Sequence, residues 1–322
     1  YSIMGAYNRT NGEACCASTT LLQNILREEW GFDGYVVSDC GAIDDIYRDH
    51  KVVSTAEEAS ALAVKNGCDL NCGDTYSSLV KAYQDGLITE EEIDLAVFRL
   101  FKARFLLGMF DPIENVPFNQ IPAGVLDCPA HRDVARQAAR ESIVLLKNED
   151  KCLPLDMNKI KKIAVIGPKA DDSLVLYGNY YGIAAEPVTI YEGIKKHVSS
   201  SVEVVLAEGC DLSKDSTEGF AEAVEKVRNA DVAIVVLGLS QLFEGEEGQE
   251  EGNHPGQRSF GDRTDIKLPG VQEQLLKEIH ATGTPVVLVL LNGSALAINW
   301  AQENIPAILE AWYPGQAGGS AV

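Results

Sequence analysis

Four runs of this chain carry apolar residues with no polar alternation: Tyr35–Ser38, 163–167, Val232–Gly238 and Val286–Leu291. A strand with one wet face alternates polar and apolar side chains. An unalternated, β-branched run instead suits a strand covered on both faces, as in parallel sheets. Segments of helical period, 220–229 and Gln272–His280, separate the last three runs. That alternation predicts a parallel α/β sheet with helices on both faces.

The first run belongs to a second alternation. Residues 1–7 read as a strand and 8–18 as a polar loop, and Leu21, Leu22, Ile25 and Leu26 recur at helical spacing until Gly31 stops the helix. After Tyr35–Ser38 comes a helix over 56–66 ended by Gly67, then a short strand over 68–73. Strand, helix, strand, helix, strand predicts the closing units of a (β/α) barrel whose earlier strands lie outside this chain. Thr89 and Glu92 form a capping box for a long helix (Ile93, Val97, Leu100, Phe101, Leu107) that stops at Gly108. Residues 109–129 break the periodicity and carry Pro112, Pro117, Pro122 and Pro129. The expected organisation is therefore a barrel portion over 1–108, a linker over 109–130 and an α/β domain over 131–322, cut short at its C-terminus. Within that domain 131–146 reads as a helix and 148–155 as a polar loop.

Composition narrows the function. Length 322 suits two domains, and no apolar run reaches the roughly 18 residues of a membrane span, so no membrane insertion is expected. A net charge of −21 argues against nucleic acid and anionic membranes and suits a neutral ligand. The eight cysteines are too dilute for a disulfide scaffold, form no CxxC pair and stand apart from the five histidines, so no zinc site is expected. Gly167-Pro168 and Gly238 follow strands but open neither a GxGxxG nor a P-loop, so no nucleotide cofactor is expected. The chain starts at Tyr1 in mid-pattern, and a leader peptide is not readable from it.

In (β/α) barrels chemistry collects at the C-terminal strand ends, and Asp39 stands at such an end, in Gly34-Tyr35-Val36-Val37-Ser38-Asp39-Cys40-Gly41. A capping role for the following turn is the plain alternative. Trp30-Gly31-Phe32-Asp33-Gly34 before it, with Met4-Gly5-Ala6-Tyr7-Asn8 and Asn11-Gly12 upstream, resembles the family 3 glycoside hydrolases. The resemblance continues through Lys147-Asn148, Ile166-Gly167-Pro168, Asp262-Arg263, Leu268-Pro269-Gly270 and Trp312-Tyr313-Pro314-Gly315-Gln316. It implies a TIM-type (β/α)8 barrel followed by an α/β-sandwich domain, and retention of configuration, with Asp39 as nucleophile. Glycoside hydrolysis needs a second carboxyl group as acid/base. The stretch Phe243-Glu244-Gly245-Glu246-Glu247-Gly248 supplies the candidates. Family loops reading Glu-x-Glu-Gly before Asp-Arg match Glu246, counting outward from the strand favours Glu244, and Glu247 ranks third.

"SDC" at Ser38–Cys40 and "LNCG" at Leu70–Gly73 resemble the β-xylosidase branch. By that resemblance Cys40 and Cys72, as a disulfide or as two free thiols, would wall the C5 side of the sugar and favour xylose over glucose. Tyr7, Asn8, Asp69 and Asn71 read either as sugar-facing or as satisfying their own loops, and Tyr7 is kept as a substrate-binding candidate. The expected function is a retaining exo-β-xylosidase acting on xylo-oligosaccharides, secreted or periplasmic, of undetermined oligomeric state. β-Glucosidase is the runner-up. A non-catalytic carbohydrate-binding module is the rival from another class, disfavoured because both acidic motifs are present.

Overall fold

A computed structural model describes residues 1–179, 181–244 and 265–322 of the chain. They fall into two units, Tyr1–Pro122 and Ala123–Val322.

In the first unit the opening strand β1 is Ser2–Gly5, shorter than the sequence suggests. The stretch read as a loop holds a small antiparallel ribbon, β2 (Arg9–Thr10) and β3 (Glu13–Ala14). Strand β4 (Tyr35–Ser38) pairs in parallel with β1, and Val37 makes a parallel bridge to Leu70 on its other side. The expected strand over 68–73 is thus reduced to one bridging residue. The helix Thr19–Glu29 opens on Ser18, whose hydroxyl accepts from the Leu21 N–H at 3.0 Å. It winds wider than an α-helix, with Trp30 N–H reaching back five residues to the Ile25 carbonyl. Helices Ala56–Asn66 and Glu90–Leu106 are both opened by reciprocal capping boxes, Thr55 with Glu58 and Thr89 with Glu92. Val36, Ile43, Ile46, Ala59, Ala63 and Cys68 are buried together and pack β4 against Ala56–Asn66 and the short helix Ala42–Arg48. The proline-bearing stretch turns through short 3-10 segments, Ile113–Asn115 and Pro117–Gln120.

In the second unit a 3-10 turn, Ala123–Val125, precedes helix Pro129–Ser142, which ends four residues before the expected limit. Ile143 is extended, and Val144–Asn148 forms β5, antiparallel to a strand far along the chain. The β-branched pair Ile143-Val144 favours that conversion, since such side chains lose χ1 freedom in a helix. The sheet also contains β6 (Lys162–Ile166), β7 (Glu203–Ala207), β8 (Val232–Gly238), β9 (Val286–Leu291) and β10 (Ala307–Glu310). Its order is β5-β10-β9-β8-β6-β7, parallel throughout except for β5.

Strands β8 and β9 are buried along their whole length, as unalternated runs require. Ala233, Val235, Leu237, Leu288 and Leu290 pack on one face against Ala223, Val227, Leu275 and Ile279 of two helices. Ile234, Val236, Val287 and Val289 fill the other, with Ile190. Full burial of each such side chain is worth about 1.5–3 kcal/mol.

The glycine just after β6 and the one that ends β8, which open no phosphate loop, have a packing reason. A Cβ on Gly167 would lie 1.9 Å from the Val236 carbonyl oxygen, and one on Gly238 would lie 2.0 Å from that of Leu291. Both residues also hold positive φ, at 147° and 137°. Buried Gln272 completes the ladder at Gly238: its carbonyl accepts the Gly238 N–H at 2.8 Å, and its amide donates to the Gly238 and Leu212 carbonyls. The end of β8 is thereby fixed ahead of the turn Gln241–Phe243 that leads to Glu244.

Candidate active site

Asp39 leaves β4 at its C-terminal end. Its N–H donates to the Gly5 carbonyl at 2.9 Å, which carries the β1 pairing one step past the strand. The Cys40 N–H donates to Asp39 Oδ1 at 2.7 Å, turning the carboxylate back over its own loop. Oδ2 takes no hydrogen bond from any described residue, and the side chain is partly exposed.

The adjoining loop is tied to Asn71-Cys72. Cys40 and Cys72 form a disulfide with their Cα atoms 4.4 Å apart. Ser38 is buried, and its hydroxyl accepts from the Cys72 N–H at 2.9 Å and from the Asn71 amide at 3.3 Å. Gly41 N–H donates to the Cys72 carbonyl at 2.8 Å. Tyr7 joins the same group from the β1 side, its hydroxyl donating to the Cys40 carbonyl at 2.7 Å. The carbonyl of Tyr7 is itself 2.7 Å from His50 Nε2. Of the residues singled out in the sequence, Tyr7, Asp39, Cys40 and Cys72 thus come together within one unit.

Asp69 and Asn71 resolve toward loop satisfaction. Asn71 accepts from the Tyr76 N–H at 3.1 Å while its amide reaches Ser38. The Asp69 side chain is 1% exposed, 3.0 Å from Arg27 and 2.9 Å from Arg99, and it accepts the Val36 N–H at 2.9 Å. Burial pushes its carboxyl up; the Val36 N–H and the guanidiniums of Arg99 and Arg27 pull the other way. Arg27 also donates to the carbonyls of Phe32 and Gly34 at 2.9 and 2.6 Å, so one guanidinium fixes the turn into β4 and its middle.

In the second unit Glu244 follows the turn Gln241–Phe243 after β8. Its carboxylate accepts from the Gly293 N–H at 3.1 Å, the Ser294 N–H at 2.5 Å and the Tyr313 hydroxyl. The Asn179 amide donates to the Glu244 carbonyl at 2.6 Å. Gly293, Ser294 and Tyr313 were not singled out as site residues; Tyr313 lies in the Trp312–Gln316 motif, its nearest sequence signal. Glu246, Glu247 and the pair Asp262-Arg263 lie outside the described residues.

A model of the glycosyl hydrolase family 3 C-terminal domain matches residues 143–322, and one of the family's N-terminal domain matches residues 1–103. The chain belongs to glycosyl hydrolase family 3. Among its family 3 relatives, a β-xylosidase of Formosa agariphila is 36% identical over 337 residues, covering 100% of this chain and 44% of the relative. A solved exo-β-xylosidase, XlnD, in complex with a xylobiose aziridine activity-based probe, superposes with a TM-score of 0.89 at 34% identity, covering 99% of this chain and 40% of that one. A β-glucosidase from Listeria innocua in complex with isofagomine gives a TM-score of 0.84 at 28% identity, covering 99% and 42%. The chain therefore spans less than half the length of these relatives. Its fold is that of family 3, the C-terminal part of a TIM-type barrel followed by an α/β sandwich with a mostly parallel sheet.

Proposed function

We propose that the full-length protein is a retaining exo-β-glycosidase that removes terminal β-D-xylosyl residues from xylo-oligosaccharides. The observation that carries this reading is Asp39 itself: a partly exposed carboxylate at a parallel strand end, one oxygen held by the Cys40 N–H and the other open. In the first step the open oxygen attacks the anomeric carbon while Glu246 protonates the departing glycosidic oxygen, giving an ester between sugar and Asp39. In the second, water, deprotonated by Glu246, attacks the same carbon and returns Asp39 as carboxylate. Tyr7 supports Asp39 indirectly: its hydroxyl holds the carbonyl of Cys40, the residue whose N–H orients the Asp39 carboxylate.

The choice of sugar rests on the Cys40–Cys72 disulfide beside Asp39, read as a wall on the C5 side. It also supports an oxidising, secreted or periplasmic location, because disulfides persist in such compartments. β-Glucosidase is the second reading, favoured by the Listeria innocua likeness. Aryl β-xyloside is expected to exceed aryl β-glucoside in kcat/KM by roughly tenfold to two hundredfold, the scale on which a pocket sorts one small group. Equal or better turnover of the glucoside would hand the assignment to β-glucosidase. Proton NMR of the first-formed product reads the stereochemistry: β-xylose is expected before mutarotation, and α-xylose would remove the retaining mechanism.

A further inference from the structure

We propose that His50 is a positioning residue for Asp39: it braces the main chain at Tyr7, and Tyr7 in turn fixes Cys40, whose N–H orients the nucleophile. The inference rests on the glycosidase reading above and adds to it a residue that neither the sequence motifs nor the strand-end geometry singled out.

A closed ring of contacts carries it. Helix Ala42–Arg48 follows Asp39-Cys40-Gly41, and its end is tightly turned: the Asp49 and His50 N–H groups both donate to the Asp45 carbonyl, at 3.1 and 2.7 Å. The Val52 N–H donates to the carbonyl of Ile46, which is buried in the same core as Val36 of β4. His50 is thus seated on the core of the strand that carries Asp39. Its Nε2 stands 2.7 Å from the Tyr7 carbonyl. A carbonyl oxygen can only accept, so Nε2 carries the hydrogen and donates. The Arg9 guanidinium holds the His50 main chain from the ribbon side, donating to its carbonyl at 3.3 Å and to the Gly12 carbonyl at 2.7 Å. Tyr7 depends on such ties, because it lies between β1 and β2 with its side chain 45% exposed, and packing does little to hold it. The Gly5 carbonyl before it takes the Asp39 N–H, and the Asn8 carbonyl after it takes the Cys15 N–H at 3.1 Å. His50 holds the carbonyl between these two. The Tyr7 hydroxyl then reaches the Cys40 carbonyl, and the Cys40 N–H reaches Asp39 Oδ1. The ring runs from Asp39 through Cys40, Tyr7 and His50, and returns to Asp39 along helix Ala42–Arg48.

The test uses the full-length protein and whichever aryl glycoside it turns over faster. His50→Ala is expected to lose about tenfold to a hundredfold in kcat with KM within about threefold, since an ångström-sized misplacement of a catalytic group costs up to about a hundredfold. The rate at which the matching 2-deoxy-2-fluoro-glycoside labels Asp39 should fall by a similar factor, because attack by Asp39 is the step the brace serves. His50→Gln should recover to within about threefold of wild type, its amide nitrogen standing where Nε2 stands. His50→Asn, whose amide nitrogen falls at the Nδ1 position, should show the loss of His50→Ala. The double variant Tyr7→Phe/His50→Ala should match Tyr7→Phe within about threefold, because His50 acts through the contact that Tyr7→Phe has already removed. A merely structural role would multiply the two losses.

Wild-type kcat in His50→Ala, equal activity of the Gln and Asn variants, or multiplied losses in the double variant would each overturn the proposal. Should His50→Ala not fold, the comparison of His50→Gln with His50→Asn decides it. A wild-type protein that takes no label on Asp39 would strike the glycosidase reading itself. A labelled wild type, with His50→Ala labelled equally fast, would strike the brace alone.

Discussion

Asp39→Asn in the full-length protein is expected to lower kcat on aryl β-xyloside by at least about a thousandfold, as loss of a covalent participant does. Geometry makes the expectation specific to this side chain. The Asp39 N–H is committed to Gly5 and one carboxylate oxygen to Cys40, so the amide keeps the loop's hydrogen bonds while removing the nucleophilic oxygen. Thermal unfolding should be nearly unchanged. A variant within tenfold of wild-type turnover would mean that Asp39 only caps its own turn.

Asp69→Ala is expected to destabilise the protein by about 3–5 kcal/mol, the cost of removing one partner from a buried ion pair and leaving the other charges unpaired. Here two guanidiniums, Arg27 and Arg99, lose their counter-charge at once, and the Val36 N–H in the middle of β4 loses its acceptor. The damage falls on the strand that aims Asp39, although Asp69 itself is 1% exposed and not expected to touch substrate. Denaturant unfolding followed by a probe in the first unit measures it, and a midpoint unchanged from wild type would show that the ion cluster contributes little. An apolar replacement of all three residues together is the informative control, since buried ionic clusters often exchange for packed apolar groups without loss.

The contrast between these two aspartates shows what the sequence can and cannot disclose. Asp39 is legible because its signal is local: Val36-Val37 without alternation, then a carboxylate, then Gly41. Strands β8 and β9 are legible for the same reason, since burial on both faces leaves its mark on each residue. Strand β5 is not, because an antiparallel edge with exposed Val144, Leu145 and Leu146 continues the helical pattern that precedes it. Strand β7 is masked by its exposed Glu203 and partial burial, and β10 by its length of four residues, ending on Glu310.

The partnerships of Asp69 and Glu244 are invisible for a different reason. Asp69 meets arginines 42 and 30 positions away, and Glu244 meets a tyrosine 69 positions away. No periodicity links such pairs; only the folded topology does. The Cys40–Cys72 bridge is also distant in sequence, at 32 positions, yet it was reachable through the resemblance of its two flanking motifs.

Trapping the covalent intermediate decides whether Asp39 is the nucleophile. The full-length protein is inactivated with a 2-deoxy-2-fluoro-β-xyloside bearing an activated leaving group, digested and sequenced by mass spectrometry. One fluoroxylosyl group is expected, attached as an ester to Asp39 in the peptide around Val37-Ser38-Asp39-Cys40. A label on any other residue, or inactivation with no covalent label at all, would contradict it.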